Sequence, residues 1–246
     1  MRIPRFYINQ PLKVGLKLDL PTVVHRHAIQ VLRLKTNERL ILFNGKGGEY
    51  LAILCFVDKH HSRVSILSFN NISRESPLNI TLALAMIKQD KMDFAIQKAV
   101  EMGVQQIQPL DTQRSVIKLK NKRLEKKLAH WQRIIRSACE QSGRTLIPKI
   151  LPATALELWL QRPRRRLSLA MLPGKYPSIA SLSPLKEQKI TLIIGPEGGF
   201  TKQEVNLFIN AQVKAIQLGS RILRAETAVI AGLALCQQQW GDLSHK

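Results

Sequence analysis

Two stretches in the C-terminal third concentrate the residue types that can act on a ligand. The first is Gly195-Pro196-Glu197-Gly198-Gly199, followed by Phe200. The second is Leu218-Gly219-Ser220-Arg221-Ile222-Leu223-Arg224-Ala225-Glu226-Thr227. Glycines permit positive φ and let the backbone approach a ligand closely. Backbone N–H and C=O groups in such loops can read the edge of a flat heterocycle such as adenine. Arg224 and Glu226 place a cation and a carboxylate near a predicted helix start, and Glu197 places a carboxylate in the first stretch. Each stretch also has a plainer reading. Gly-Pro and Gly-Gly are ordinary turn dipeptides, and Glu226 near a helix start is favoured by the helix dipole alone.

Absent patterns narrow the chemistry. There is no G-x-x-x-x-G-K-[ST] phosphate loop, no G-x-G-x-x-G opening a βαβ unit, no G-x-S-x-G and no H-E-x-x-H. The histidine pairs His25/His27 and His60/His61 have no carboxylates at metal-ligand spacing, so no metal is expected. Cys55, Cys139 and Cys236 stand singly and form neither a disulfide framework nor a C-x-x-C pair. They read as buried, reduced thiols of a cytoplasmic protein. No apolar run approaches the roughly 18 residues of a membrane span, and the first residues lack the apolar core of a signal peptide. No membrane partner is expected.

The elements that must position the two stretches follow from the hydrophobic pattern. From about residue 77 onward, strand-like and helix-like segments alternate. Strands are expected at 80–87, 106–110, 167–172, 190–194 and 215–218. Helices are expected at 90–102, where Met92, Ile96, Ala99 and Val100 share a face, at 123–141 and at 226–240. Thr201-Lys202-Gln203-Glu204 is a capping box that opens a further helix. Such alternation predicts an α/β fold with a mostly parallel sheet covered on both faces. Ligands of these sheets bind outside the carboxyl ends of the strands. Both stretches follow a predicted strand, as does a third loop, Leu172-Pro173-Gly174-Lys175.

Before residue 70 the pattern differs. Arg39–Phe43, the turn dipeptide Asn44-Gly45 and Glu49–Val57 read as a β-hairpin, with another strand at 63–69 and a helical turn at 25–32. This predicts a small, mostly β barrel. The polar segment ending at Pro77 reads as a linker.

The chain of 246 residues carries 38 Lys and Arg against 17 Asp and Glu, a formal net charge of +21. Residues 1–75 carry 12 basic and 5 acidic residues, 76–150 carry 14 and 6, and 151–246 carry 12 and 6. The excess is therefore spread through folded-looking sequence and is not held in a tail. It points to nucleic acid as the partner. Local clusters occur at Lys118, Lys120, Lys122, Arg123, Lys126 and Lys127, and at Arg162, Arg164, Arg165 and Arg166. The terminal residues 244–246 read as frayed.

The paired stretches resemble the bacterial 16S ribosomal RNA uridine-N3 methyltransferase family, ribosomal RNA small subunit methyltransferase E, of the SPOUT superfamily. The resemblance extends over nearly the whole chain. Arg5-Phe6, His27 with Val31-Leu32-Arg33, and the segment from Asn44 to Tyr50 are similar to the family's N-terminal barrel. Lys98 to Val104, Arg114-Ser115-Val116, and Glu140 to Arg144 with Pro148 are similar to its central blocks. The family often has His-Pro where this chain has Leu172-Pro173.

The resemblance implies a PUA-like RNA-binding β-barrel at 1–72. It implies a SPOUT-type trefoil-knotted parallel sheet with helices on both faces at 73–246. It implies S-adenosyl-L-methionine as methyl donor, held by Met171, Leu172, Pro173, Ile194, Gly195, Pro196, Glu197, Gly198, Gly199, Leu218, Gly219, Ile222, Leu223 and Thr227. It further implies a homodimer acting on 16S ribosomal RNA or the small ribosomal subunit, at N3 of a uridine. Arg224, Glu226 and Glu197 are then the candidate catalytic residues, and Arg5, Arg33, Lys46, Arg114 and Arg144 the candidate RNA contacts. Two alternatives stay open on the residues: a non-catalytic RNA-binding or ribosome-assembly protein, and a knotted methyltransferase acting on tRNA or on a ribose 2′-OH.

Overall fold

The computed structural model describes residues 3–115, 122–163, 166–185 and 187–243. Val116, Lys118 and Lys120, Arg164 and Arg165, and residues 244–246 lie outside the described residues, as do the side chains of Lys122 and Arg123. The chain forms two compact units. One comprises Met1–Glu75 and Cys139–Ile147, the other Ser76–Ala138 and Pro148–Lys246.

The first unit holds a five-stranded sheet. Its strands are β1 (Arg5–Tyr7), β2 (Lys17–Asp19), β3 (Arg39–Phe43), β4 (Glu49–Val57) and β5 (Ser62–Asn70), in the order β1-β3-β4-β5-β2. The β3–β4 hairpin falls where the Asn44-Gly45 turn signal placed it, with Gly45 at φ 78°. Between β2 and β3 runs a short helix, α1 (Thr22–His25), which continues as a π-helical turn over Arg26–Val31. Alternate residues of β3, β4 and β5 point inward. Leu40, Leu42, Ala52, Leu54, Val64 and Ile66 join Phe6, Ile8 and Ala28 in one apolar core. β1 and β2, of three residues each, are too short to show periodicity and were not foreseen.

The domain expected at 73–246 includes Cys139–Ile147, whereas the structure builds this segment into the first unit. Glu140 Oε1 accepts from Tyr7 N–H at 2.9 Å, and Leu146 bridges to Lys46.

The second unit is a parallel sheet of β6 (Asn79–Ala85), β7 (Gln106–Asp111), β8 (Lys149–Ile150), β9 (Thr154–Ala155), β10 (Leu167–Met171), β11 (Lys189–Ile194) and β12 (Lys214–Ile216). The order is β12-β10-β11-β6-β7-β8, with β9 also on β7, and every pairing is parallel. The helices are α2 (Gln89–Glu101), α3 (Lys122–Ser142, whose residues from Cys139 on belong to the first unit), α4 (Leu156–Leu160), α5 (Lys202–Asn210) and α6 (Ala225–Trp240).

β6 is apolar but for Asn79 and Thr81, because both of its faces are covered. On one face Ala83, Leu110, Ala170 and Ile193 pack with Leu156, Trp159 and Phe208 of α4 and α5. On the other, Leu192 lies against Gly232 of α6. Each large apolar side chain buried this way contributes about 1.5–3 kcal/mol. Beyond the end of α2, Gly103 holds φ 83°. The buried amide of Gln237 then donates to Met102 O at 2.9 Å and accepts from Ser76 Oγ at 2.7 Å. α5 opens on the expected capping box: Thr201 Oγ1 accepts from Glu204 N–H at 3.2 Å, and Glu204 Oε2 accepts from Thr201 N–H at 2.8 Å.

The candidate functional site

β10 lies between β11 and β12, so three strands consecutive in sequence end side by side, with the first of them in the middle. The loops leaving their carboxyl ends enclose a cavity of about 410 Å³. That is within the range of small-molecule sites, about 300–1,000 Å³. The β10 loop contributes Leu172 and Pro173, the β11 loop residues 195–200, and the β12 loop Leu218, Gly219 and residues 221–224.

Two glycines show why these loops need their composition. Gly199 and Gly219 hold φ of 67° and 81°, where a side chain would be strained. Neither would meet any atom within 4 Å through an added Cβ, so conformation and not space fixes the residue type there. Leu172, in the place of the family's frequent histidine, is buried in the core, and its N–H donates to Ile216 O at 3.0 Å.

All of the expected cofactor residues except Thr227 line the cavity. Thr227 is exposed in the first turn of α6, while its neighbours Ala225 and Ala228 face the cavity. Phe200 and Arg221 also line it and were not assigned. Arg221 stood inside the recognised stretch, and Phe200 directly follows Gly199. The Phe200 ring closes onto Gly195, where a Cβ would lie 2.9 Å from it.

The three candidate catalytic residues separate. Arg224 and Glu197 line the cavity; Glu226 does not. The Glu226 carboxylate is buried and lies 3.4 Å from Lys91 Nζ. Glu197 Oε1 accepts from Lys88 N–H at 3.2 Å. Lys88 and Lys91 were not singled out in the sequence. They follow the carboxyl end of β6, where the strand-end rule could have found them.

The candidate RNA contacts separate as well. Arg33 and Lys46 are exposed, and Arg33 holds φ 58°. Arg114 is exposed and its Nη1 donates to Gly198 O at 2.8 Å, which places it beside a cavity-lining residue. Arg5 and Arg144 are different. Arg5 is 8% exposed, pairs with Glu49 and lies over the Phe43 ring. Arg144 is 3% exposed and donates through Nε to Glu75 Oε2 at 2.9 Å. Both guanidinium groups are spent on internal carboxylates, so the expectation that they face RNA is corrected to a structural role.

Comparison with known proteins agrees with this geometry. A family model for the RNA methyltransferase domain matches residues 74–237, and one for the RNA methyltransferase PUA domain matches residues 26–67. The ribosomal RNA small subunit methyltransferase E of Buchnera aphidicola from Schizaphis graminum is 35% identical, covering 99% of both chains. The crystal structure of the Neisseria gonorrhoeae enzyme of that name, bound to S-adenosyl methionine, is 40% identical with a TM-score of 0.92. It covers 99% of this chain and all of that one. A putative methyltransferase from Legionella pneumophila, also in complex with S-adenosylmethionine, is 35% identical with a TM-score of 0.94 over 98% of this chain and all of that one. With a family model across most of its length and relatives above 30% identity end to end, this chain belongs to the ribosomal RNA small subunit methyltransferase E family, with the α/β fold of the SPOUT class.

Proposed function

We propose that this chain methylates small-subunit ribosomal RNA with S-adenosylmethionine as donor, and that the acceptor is N3 of a uridine. The observation that carries this reading is the cavity itself. Three strand-end loops supply apolar walls, glycine backbone, one carboxylate (Glu197) and two guanidinium groups (Arg221, Arg224).

These residues fit the donor. Met171, Leu172, Ile194, Leu218 and Leu223 offer apolar surface, and the glycine-containing β11 and β12 loops offer backbone groups to a purine edge. When bound, S-adenosylmethionine supplies an electrophilic methyl group. The chain's own residues must deal with the acceptor. N3 of uracil carries a proton at neutral pH, so it becomes nucleophilic only as that proton leaves. Glu197 is the one carboxylate among the lining residues, and its Oε2 has no partner among the described residues. It is assigned as the proton acceptor. Arg224 is assigned to the negative charge that appears on the uracil oxygens. N3 lies on the Watson–Crick edge, so the uridine must enter unpaired or extruded from a helix. The exposed Arg114, bonded to a cavity-lining residue, is assigned to the phosphate backbone around it, and the exposed Arg33 and Lys46 of the first unit are assigned to phosphates elsewhere on the RNA.

Mass spectrometry of nucleosides from small-subunit ribosomal RNA tests the assignment. N3-methyluridine should vanish in a strain lacking the gene and return with the wild-type gene. Its persistence overturns the acceptor assignment. Calorimetric titration tests the donor: no binding at millimolar S-adenosylmethionine removes the enzymatic reading altogether.

A further inference from the structure

The capping box of α5 uses only half of its carboxylate. Glu204 is 1% exposed, and its Oε2 accepts from Thr201 N–H. Its other oxygen, Oε1, accepts from the backbone N–H of Gln113 at 2.8 Å, more than ninety positions away in sequence. Gln113 sits in the loop that follows β7. The same residue reaches α5 a second time, through Nε2 to Gln203 Oε1 at 3.2 Å. The loop is closed on itself by Ser115 N–H to Thr112 O at 3.1 Å and by a 2.8 Å bond between the Thr112 and Ser115 hydroxyls. The next residue, Arg114, spends one of its five N–H donors on Gly198 O. Its Cβ would lie 3.4 Å from a Cβ at Gly198. A single buried carboxylate thus ties together the start of α5, directly after the cavity loop, and the turn that carries Arg114.

We propose that Glu204 is a positioning residue: it fastens the turn at residues 112–115 to α5, so that Arg114 is held at the cavity rim ready for RNA. A plain helix cap needs only the Thr201 pairing. The second oxygen serves the 112–115 turn, whose Arg114 is exposed and stands beside the cavity. A guanidinium held in advance loses less freedom when it binds than one on a free loop. The inference rests on the proposed RNA methylation for its meaning, but the tether can be tested without it.

Two substitutions cut the tether from opposite sides. Glu204→Ala removes the acceptor and half of the cap. Gln113→Pro removes the N–H donor and leaves Glu204 in place; Gln113 is the second residue of the 112–115 turn, a position that accepts proline. Thr201→Ala is the control that weakens the cap alone. Hydrogen exchange should show the amide of residue 113 exchanging about tenfold faster or more in Glu204→Ala, and close to wild type in Thr201→Ala. Unchanged exchange in Glu204→Ala overturns the tether.

The functional arm is a cycle with Arg114→Ala, read as KM for RNA, kcat, and the dissociation constant for S-adenosylmethionine. Glu204→Ala and Gln113→Pro should each raise KM for RNA about tenfold, with cofactor affinity within about threefold of wild type. Combined with Arg114→Ala, neither should add to the loss from Arg114→Ala alone. Additive losses, or a loss confined to cofactor affinity, overturn the positioning role and leave Glu204 a helix cap. A wild-type protein without activity counts against the proposed function, and the exchange measurement still decides the tether.

Discussion

Gly232 in α6 faces Met171 at the end of β10 so closely that a β-carbon on the glycine would sit 2.1 Å from the methionine Cε and 2.7 Å from its Sδ. Leu192 Cδ2 would be 3.1 Å away on the same side. A glycine inside a helix costs about 1 kcal/mol relative to alanine, and here close approach of helix to sheet is what it permits. Met171 also lines the cavity, so this contact sets part of the cavity wall.

Gly232→Ala should therefore reshape the site from behind. The gain in helix propensity is set against overpacking of about 1–3 kcal/mol. The methionine side chain is the flexible member and must yield. Calorimetry should show weaker S-adenosylmethionine binding, and Met171→Ala introduced together with Gly232→Ala should recover part of it. Unchanged affinity in Gly232→Ala would mean that Met171 swings away from the cavity.

Arg224 and Arg114 stand in the same neighbourhood but should fail differently. Arg224→Ala removes a cation that lines the cavity and is assigned to the transition-state charge. Loss of one such stabilising group costs about 10²–10³ in kcat. Cofactor affinity should stay within a few-fold of wild type. Single-turnover rates with saturating cofactor and RNA give the answer, and a rate near wild type removes Arg224 from the reaction.

How much of this was legible in the sequence depends on how far each feature reaches. β6, β10 and β11 are mostly apolar runs, α2 and α3 carry a helical stripe, and α6 is a long segment rich in Ala and Leu, so each announces itself locally. The three strand-end loops could be named for the same reason. β8 and β9, with two residues each, carry no period to read. The 123–141 helical pattern runs on without a break, so nothing local marks residue 139 as the point where the chain joins the other unit. Side-chain direction was also hidden. Glu197 and Glu226 look equivalent as candidate bases, yet only Glu197 turns toward the cavity while Glu226 pairs with Lys91. Arg5 and Arg144 counted toward a basic surface until Glu49 and Glu75, distant in sequence, were seen to take them up.

The three thiols should divide by burial. The expectation that all three are buried holds for Cys139 and Cys236 and is corrected at Cys55, which is exposed near the end of β4. Loss of hydration on burial pushes both buried thiols from an ordinary value of 9.0 up to about 12. The thiolate is the reactive form, and these two stay protonated up to that range in the folded chain. Iodoacetamide at pH 8.5 should modify Cys55 in the native protein and all three only after unfolding. The raised values also carry a sign for stability. The folded state keeps protons that the unfolded state releases, so this contribution is full below pH 9 and falls away as pH rises toward 12. Rapid native labelling of Cys139 or Cys236, read by peptide mass spectrometry, would contradict the packing around them.

The buried ion pairs of the first unit set up a contrast between arginines. Arg144 and Glu75 have side chains only 3% and 10% exposed, and Glu75 Oε1 also accepts from the N–H groups of Thr145 and Leu146 at 3.3 Å. The pair therefore holds the 139–147 segment within its unit. Removing one partner strands a charge away from water, at a cost of about 3–5 kcal/mol. Arg144→Ala should lower Tm by about 10 °C or more. Glu75→Ala with Arg144→Ala should lose less than the sum of the single changes, since neither charge is then left alone. Arg33 and Lys46 are exposed, so their alanine variants should keep stability within about 0.5 kcal/mol. Each should instead weaken RNA binding and reduce the slope of log affinity against log salt by about one. Thermal denaturation and salt-dependent RNA titrations on the wild type and these variants separate the two classes. An Arg144→Ala protein of wild-type stability that has lost RNA affinity would return Arg144 to the RNA-facing role.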